Sequence, residues 1–252
     1  MNFVYDIIVV GGGHAGCEAA HAAARMGART LLITMDMTKL AQMSCNPAMG
    51  GIAKGQIIRE IDALGGMSGI VTDRSMIQFR MLNRSKGPAM WSPRAQCDRQ
   101  RFSVEWRKVL ESTDNLHIWQ DEARKLIIED GSVAGVETSF GTKFLGKAVV
   151  LTNGTFLNGL MHVGFVNQTG GRSGDRASFG LSEQLAGLGF AVERLKTGTS
   201  ARIDGRSIDF TVMTEQKGDT EGRCFSYLER GGNIAGPMSC FITHTNEEVH
   251  EE

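Results

Sequence analysis

The chain has few of the features that mark a secreted, metal-binding or membrane-spanning protein. Its five cysteines are an odd number without C-x-x-C spacing, which argues against a disulfide framework or zinc site and favours a reducing cytoplasm. No two of the six histidines have a metal-ligand spacing, so we expect no bound metal. The longest apolar runs, such as Ile7–Val10, span roughly four residues, whereas a membrane helix needs about 20. No signal-peptide pattern opens the sequence, and we therefore expect a cytoplasmic protein with no membrane partner.

Positive charge is concentrated in one segment, although the 252 residues carry a net charge of only −1. Residues 74–108 hold nine basic and two acidic residues, which leaves that segment at +7 and the remainder at −8. Such a basic block indicates a phosphate-bearing partner such as RNA. The block lacks interleaved aromatic positions for base stacking. A solvated basic helix, with a few arginines that hold a cofactor's phosphates, is therefore the alternative.

The most specific pattern lies near the N-terminus, where a β-branched strand leads into a glycine turn and then a helical sequence. The turn reads Gly11-x-Gly13-x-x-Gly16 and directly follows the strand. Glycines at this spacing permit a tight turn, a close approach of the backbone to a pyrophosphate, and close packing of helix on strand. The helix N-terminus adds free N–H groups and a positive dipole end. We predict a dinucleotide site formed by Gly11, Gly12, Gly13, His14, Ala15 and Gly16.

Residues 29–34 are predicted to form the second parallel strand, whose end should lie beside the ribose of the dinucleotide. An acidic residue commonly binds the ribose there, about 20 residues after the glycine turn. Thr34 directly follows the apolar run, and Asp36 comes two residues later. We prefer Asp36 for this role, with Thr34 as the alternative.

Periodicity predicts the remaining elements. Apolar positions at helical spacing predict helices over 56–64, from about 96 to 111, and over 178–188. From residue 124 the period changes to two, which predicts three short antiparallel strands over 126–129, 133–138 and 142–145. The apolar run 148–151 should then return to the parallel sheet beside the first strand. The sequence thus predicts an α/β fold of Rossmann type, with a parallel sheet and a small antiparallel meander.

The glycine turn, the meander and the turn Thr152-Asn153-Gly154 together resemble the FAD-binding domain of flavoproteins of the glutathione-reductase type. Longer motifs resemble one family, the tRNA uridine 5-carboxymethylaminomethyl modification enzymes, also called the MnmG or GidA family. These motifs extend over nearly the whole chain: Gln42–Ala48, Gly50-Gly51, Lys54-Gly55, Asp62–Gly66, Gln78–Arg80, Ser85–Ala89, Arg94–Gln96, Gly170–Arg172, Lys196–Thr199 and Thr243–Asn246.

The resemblance implies a flavoenzyme that acts with a tRNA-modification GTPase, MnmE, on C5 of the wobble uridine of certain tRNAs. It implies FAD, NADH and methylene-tetrahydrofolate as cofactors and a homodimer as the full-length assembly. It places the flavin cofactor at Gly11–Gly16 and near Ala123 and Ser178. Because family members extend far past Glu252, it further implies an N-terminal fragment. The FAD-binding domain would cover residues 1–197, and residues 198–252 would begin an inserted nicotinamide or substrate domain.

Cys45 is the candidate catalytic residue, because it lies in the loop where disulfide oxidoreductases of this fold carry a redox pair. No second cysteine follows within five residues, so we do not expect electron transfer from flavin to a disulfide. A lone thiol beside a flavin can instead add covalently to a pyrimidine or to an intermediate. The alternative is a small apolar residue packed in a tight loop. We expect the other four cysteines to be structural.

Two other functions remain open from the sequence. One is the related folate- and FAD-dependent tRNA uracil methyltransferase, against which the motifs Cys45–Ala48 and Ser85–Ala89 argue. The other is a catalytically inactive fragment that binds FAD partly or not at all. A generic substrate dehydrogenase on the same fold lacks support, because no acid–base pair for a substrate is visible.

Overall fold

The computed structural model describes residues 3–219, 224–228 and 238–251. The predicted second segment, 198–252, therefore includes stretches that lie outside the described residues. The strands are β1 (Phe3–Val10), β2 (Thr30–Thr34), β3 (Ala48–Gly50), β4 (Met76–Leu82), β5 (Ser92–Cys97), β6 (Leu116–Gln120), β7 (Ala123–Glu129), β8 (Ser132–Thr138), β9 (Lys143–Leu151), β10 (Leu160–Val163), β11 (Val166–Thr169), β12 (Thr214–Gln216) and β13 (Cys240–Ile242). The helices are α1 (His14–Arg25), α2 (Lys54–Ala63), α3 (Ser68–Ser75), α4 (Arg99–Glu111), α5 (Leu181–Gly187) and α6 (Glu247–Glu251).

A six-stranded mixed sheet in the order β6-β2-β1-β9-β8-β7 forms the centre of the fold. Strands β6, β2, β1 and β9 run parallel, with Ile8 of β1 opposite Leu31 of β2 and Val149 of β9. Both faces of β2 are buried, as is usual for strands inside a parallel sheet. The predicted α/β fold, with its parallel sheet and antiparallel meander, is confirmed.

The meander differs from its prediction in one respect. The predicted strands 142–145 and 148–151 are one continuous strand, β9, which pairs antiparallel with β8 near its start and parallel with β1 along most of its length. Gly146 does not interrupt it. A side chain there would meet that of Ile8, with the nearest atom 2.8 Å from the added Cβ. The meander is therefore an extension of the main sheet and fixes where β9 ends.

The starts of all three predicted helices differ from the observed ones. The helix expected from residue 56 begins at Lys54. The helix expected from about residue 96 begins at Arg99, because Gln96 and Cys97 belong to β5. Asp98 caps the helix, since its carboxylate accepts hydrogen bonds from the backbone N–H groups of Gln100 and Arg101. The helix expected from residue 178 begins at Leu181. There Gly180 ends the preceding loop, and its N–H donates to the Glu183 carboxylate.

A three-stranded antiparallel sheet, in the order β3-β5-β4, was not predicted. It packs with α1, α2 and α4 around one apolar core that includes Phe79, Phe102 and Trp106. A second core lies on the other face of the main sheet, between β1, β2, the meander and α5. The two cores leave the carboxyl ends of β1, β2 and β9 open on one side, and this opening forms the cleft considered next.

Candidate functional site

The glycine turn connects β1 to α1 with very little free space on its inner side. Gly11 has φ +109°, and a Cβ there would lie 2.6 Å from the Thr152 carbonyl oxygen. A Cβ on Gly16 would lie 1.8 Å from the Gly11 carbonyl oxygen, so only glycine allows α1 to pack this closely. In contrast, a Cβ on Gly13 would have no atom of the described residues within 4 Å. The turn is thus closed towards the sheet and open towards the cleft.

The cleft has a volume of about 1010 Å³ and lies at the carboxyl ends of β1, β2 and β9. Open α/β sheets bind their ligands in this position. All the predicted site residues except Gly16 line it; Gly16 lies behind the turn, against Gly11. The lining includes Gly11, Gly12, Gly13, His14, Ala15, Thr34, Asp36, Cys45, Ala123 and Ser178. Their roles as ligand-binding residues stay a prediction.

His14 contributes a half-buried imidazole at the mouth of the turn. Its Nε2 lies 3.0 Å from the Ala41 carbonyl oxygen, which can only accept, so Nε2 carries the proton. Burial lowers the pKa of His14, despite this hydrogen bond. The Ala41 N–H in turn donates to the Gly12 carbonyl oxygen over 2.8 Å. The hydrogen bond from Nε2 to the Ala41 carbonyl oxygen therefore helps to hold the turn in place, and Nε2 already has its partner.

Both candidates for the ribose position lie at the end of β2. The Thr34 side chain is buried and its hydroxyl donates to the Asp36 carbonyl oxygen over 3.4 Å. The Asp36 carboxylate accepts hydrogen bonds from the Thr38 N–H and hydroxyl. The hydrogen bond from the Thr38 side chain is the main reason that the pKa of Asp36 is lowered. Asp36 is thus an ionised, half-buried carboxylate in the cleft, as a ribose ligand would need to be.

An ion-pair network beside the turn was missed from the sequence. Asp175 accepts hydrogen bonds from both Lys39 and Arg172, and Lys39 also lies 3.4 Å from the Asp36 carboxylate. Burial alone would raise the pKa of Asp175, but the hydrogen bonds from the two cations outweigh it and lower that pKa. Only the Gly170–Arg172 motif could have drawn attention to this loop. The contact that joins the two halves of the network, Lys39 with Asp175, links residues too far apart in sequence to be read from spacing.

Cys45 lines the same cleft as the glycine turn, and its side chain is exposed. Its thiol donates to the Gly198 carbonyl oxygen over 2.9 Å, and the Arg202 guanidinium donates to the Cys45 carbonyl oxygen. Cys17 and Cys97 differ from it, since burial raises the pKa of each thiol to about 12. Such thiols are inert, whereas the exposed thiol of Cys45 is accessible to a ligand in the cleft.

The basic block 74–108 does not form one surface. It extends over α3, β4, β5 and α4, and several of its cations pair with nearby carboxylates: Arg84 with Asp219, Arg107 with Glu111, and Lys108 with Glu105. Arg94 lines the cleft, and Arg99 is exposed at the start of α4. The block can therefore serve two purposes, with Arg94 towards a ligand in the cleft and the exposed cations towards a larger partner.

The described residues contain neither a cluster suited to a metal ion nor a helix suited to span a membrane. No group of three histidine, cysteine, aspartate or glutamate side chains among them is placed to hold a metal ion. None of the helices in this part of the chain is long and apolar enough to span a membrane.

Comparisons with known proteins agree on one family. Residues 6–252 match the family described as glucose inhibited division protein A. The chain is 61% identical over 251 residues to the tRNA uridine 5-carboxymethylaminomethyl modification enzyme MnmG of Parabacteroides distasonis, and 60% identical to that of Porphyromonas gingivalis. These alignments cover 100% of the chain, which spans about 40% of the length of these relatives.

The solved structures give the same answer for the fold. The structure of Aquifex aeolicus GidA in its form II crystal matches with a TM-score of 0.93 and 46% identity, over 98% of this chain and 42% of that one. A GidA-related protein from Thermus thermophilus matches with a TM-score of 0.55 and 23% identity, over 84% and 72% of the two chains. The second likeness concerns the fold alone.

Proposed function

The chain belongs to the glucose inhibited division protein A family, and we propose that it forms the FAD-binding part of a tRNA-modifying enzyme. The enzyme as a whole would add a carboxymethylaminomethyl group to C5 of the wobble uridine, together with a GTPase partner. Support comes from the names of relatives that are 56–61% identical. The related tRNA uracil methyltransferase is less well supported, since these relatives carry the wobble-uridine name.

The observation that carries the cofactor proposal is the one-sided opening of the glycine turn. The space next to Gly13, which a Cβ would partly fill, lies at the N-terminus of α1 and opens into a cleft of about 1010 Å³. A helix N-terminus of this kind suits a pyrophosphate, because its free N–H groups and dipole favour negative charge. The residues present therefore fit a dinucleotide such as FAD.

In this proposal, each predicted site residue has one task. Gly11, Gly12, Gly13, His14 and Ala15 surround the pyrophosphate, and Gly16 allows α1 to approach the turn. Asp36, or Thr34 as the alternative, faces the ribose. Ala123 and Ser178 complete the wall near the meander. When bound, the flavin supplies electron transfer, while the protein supplies position and electrostatics.

Cys45 is the proposed catalytic residue, since it is the exposed thiol that lines the cleft. The proposal further includes NADH, a methylene-tetrahydrofolate carbon donor, the GTPase MnmE, a homodimer and a cytoplasmic location. A domain boundary near residue 197 is supported by residues 190–204, all described, which have neither helix nor strand. Residues 225–227 nevertheless bind back to α2 and α3 through the buried carboxylates of Asp62 and Asp73.

Flavin uptake tests the cofactor part of the proposal directly. The purified chain is incubated with FAD, desalted, and examined for the flavin absorbance bands; we expect the bands to remain with the protein. A colourless protein would favour the inactive-fragment alternative. For the full-length protein, mass spectrometry of tRNA should show the modification at the wobble uridine. Methylation at the ribothymidine position would instead identify the methyltransferase.

A further inference from the structure

A second, smaller cavity lies on the side of α2 that faces away from the cleft. It has a volume of about 460 Å³, and its walls include Gln56 and Arg59 of α2 together with Trp91 and Tyr227. The two aromatic residues are 43% and 60% exposed. The cavity thus presents aromatic surface to solvent beside an arginine. Trp91 lies within the basic block 74–108, so the expectation that this block lacks an interleaved aromatic residue was wrong at this position. The fold supplies Tyr227 from far along the chain.

The polar groups of this cavity are held in place. Arg59 donates to the Tyr227 hydroxyl over 3.0 Å and to the Cys224 carbonyl oxygen over 3.3 Å, and its guanidinium lies 4.8 Å from the centre of the Tyr227 ring. Gln56 donates through Nε2 to the Ser92 hydroxyl over 2.9 Å. Its Oε1, and Nε of Arg59, are buried without a hydrogen-bond partner among the described residues. The residues of the cavity wall thus include one hydrogen-bond acceptor, Gln56 Oε1, and one donor, Arg59 Nε, that have no partner among the described residues.

The loop that carries Trp91 is basic. The Trp91 Nε1–H donates to the Arg84 carbonyl oxygen over 3.3 Å, and Arg84 and Lys86 are both exposed on this loop. The Arg84 guanidinium lies 2.9 Å from the Asp219 carboxylate, which leaves the ammonium group of Lys86 as the more available cation. The loop that presents the Trp91 ring thus also carries a positive charge, on Lys86, that suits a phosphate.

We propose that this cavity binds an unpaired nucleobase of the RNA substrate, stacked on the Trp91 ring. Exposed aromatic rings, an arginine plane and nearby cations are the features by which proteins bind splayed single-stranded bases. The same helix borders the cleft with Ile57, Ile58 and Ile61. A helix is about 10 Å wide, so the two cavities are close enough to receive neighbouring nucleotides of one loop. The proposal rests on the proposed function and assigns the base to a nucleotide that flanks the reacting uridine.

The test compares variants of the full-length protein, loaded with FAD, in binding an unmodified anticodon stem-loop. We expect Trp91→Ala to raise the Kd about tenfold and Trp91→Phe to raise it threefold or less, because stacking survives on a smaller ring. The salt dependence of the Kd should be unchanged in both, whereas Lys86→Gln should flatten it. Phe140→Ala is the matched control, since Phe140 is 89% exposed in the turn between β8 and β9.

Abasic substitution of the RNA tests the same contact without altering the protein. We expect one abasic position beside the wobble uridine to weaken binding about tenfold and to abolish the difference between the wild-type and Trp91→Ala proteins. An unchanged Kd for Trp91→Ala would overturn the proposal, as would an equal loss for every abasic position. Lower thermal stability of Trp91→Ala with unchanged RNA affinity would equally overturn it, and would show that Trp91 serves packing within the protein. Absence of flavin uptake or of uridine modification by the unaltered protein would count against the proposed function instead.

Discussion

The glycine turn and the Cys45 loop line the same cleft, but they are held in place by different contacts. The turn is fixed by backbone contacts, with Gly16 directly against Gly11 and Thr152 donating to the Val10 and Gly11 carbonyl oxygens. The loop residues 44–46 are exposed and are held by residues distant in the sequence: Arg172 donates to the Ser44 hydroxyl, and Gly198 accepts from Cys45. The proposed cofactor binding and the proposed thiol chemistry therefore depend on different structural supports, which substitutions can separate.

Gly16→Ala should have the largest effect, because it alters the glycine turn, which backbone contacts hold in place. The added Cβ would lie 1.8 Å from the Gly11 carbonyl oxygen, where neither group has a flexible end that can move away. We expect a loss of at least about 3 kcal/mol in the free energy of unfolding, or failure to fold. Urea unfolding and flavin absorbance after incubation with FAD measure both consequences.

Gly13→Ala is the matched control for this substitution. Its Cβ would meet no atom of the described residues within 4 Å, so the free energy of unfolding should change by no more than about 0.5 kcal/mol. FAD affinity should nevertheless fall, because the methyl group enters the space assigned to the pyrophosphate. Unchanged FAD affinity in a stable Gly13→Ala protein would contradict the assignment of the turn.

Cys45→Ser should have the largest effect on the exposed side of the cleft. In the full-length protein we expect wobble-uridine modification in cells to fall at least about a hundredfold, as for loss of a nucleophile. Flavin binding and the unfolding midpoint should stay unchanged, since the residue is exposed. Cys240→Ser, a half-buried cysteine outside the cleft lining, is the control and should keep full activity. Normal modification by Cys45→Ser would exclude the catalytic role.

The difference between local backbone contacts and contacts distant in sequence also explains which parts of the structure the sequence could predict. The turn follows from local rules of spacing and glycine conformation, and the return of β9 beside β1 follows from its apolar run. The three-stranded sheet was missed because β3 has only three residues and β5 contains a proline, so tertiary packing rather than local preference forms it. The contacts of the Cys45 loop with Arg172, Gly198 and Arg202 join residues far apart in sequence, which no local pattern reveals.

Substitutions of Arg94 and Arg99 test whether different cations of the basic block serve FAD and tRNA. Arg94 lines the cleft, so Arg94→Gln should lower FAD affinity about three- to tenfold and leave the salt dependence of tRNA binding nearly unchanged. Arg99 is exposed at the start of α4, and Arg99→Gln should weaken tRNA binding by a similar factor and flatten its salt dependence. Fluorescence titrations at several salt concentrations give both quantities. Equal effects of the two substitutions on both ligands would contradict the division.

The smallest expected effect is the pH dependence that His14 gives to the glycine turn. Burial holds the folded pKa of His14 below its ordinary value of 6.5, so on acidification the unfolded chain takes up a proton before the folded protein does. This residue therefore lowers stability as the pH falls from about 6.5 towards the folded pKa. His21 acts in the same direction, whereas Asp73, whose pKa burial raises to about 6, acts in the opposite direction as its carboxyl takes up a proton. In urea unfolding at pH 7.5 and pH 5.5, His14→Gln should lose less stability on acidification than the wild-type protein. Cys45→Ser, altered on the exposed loop, should keep the wild-type difference; an identical pH response in all three proteins would show that the turn does not hold His14 as described.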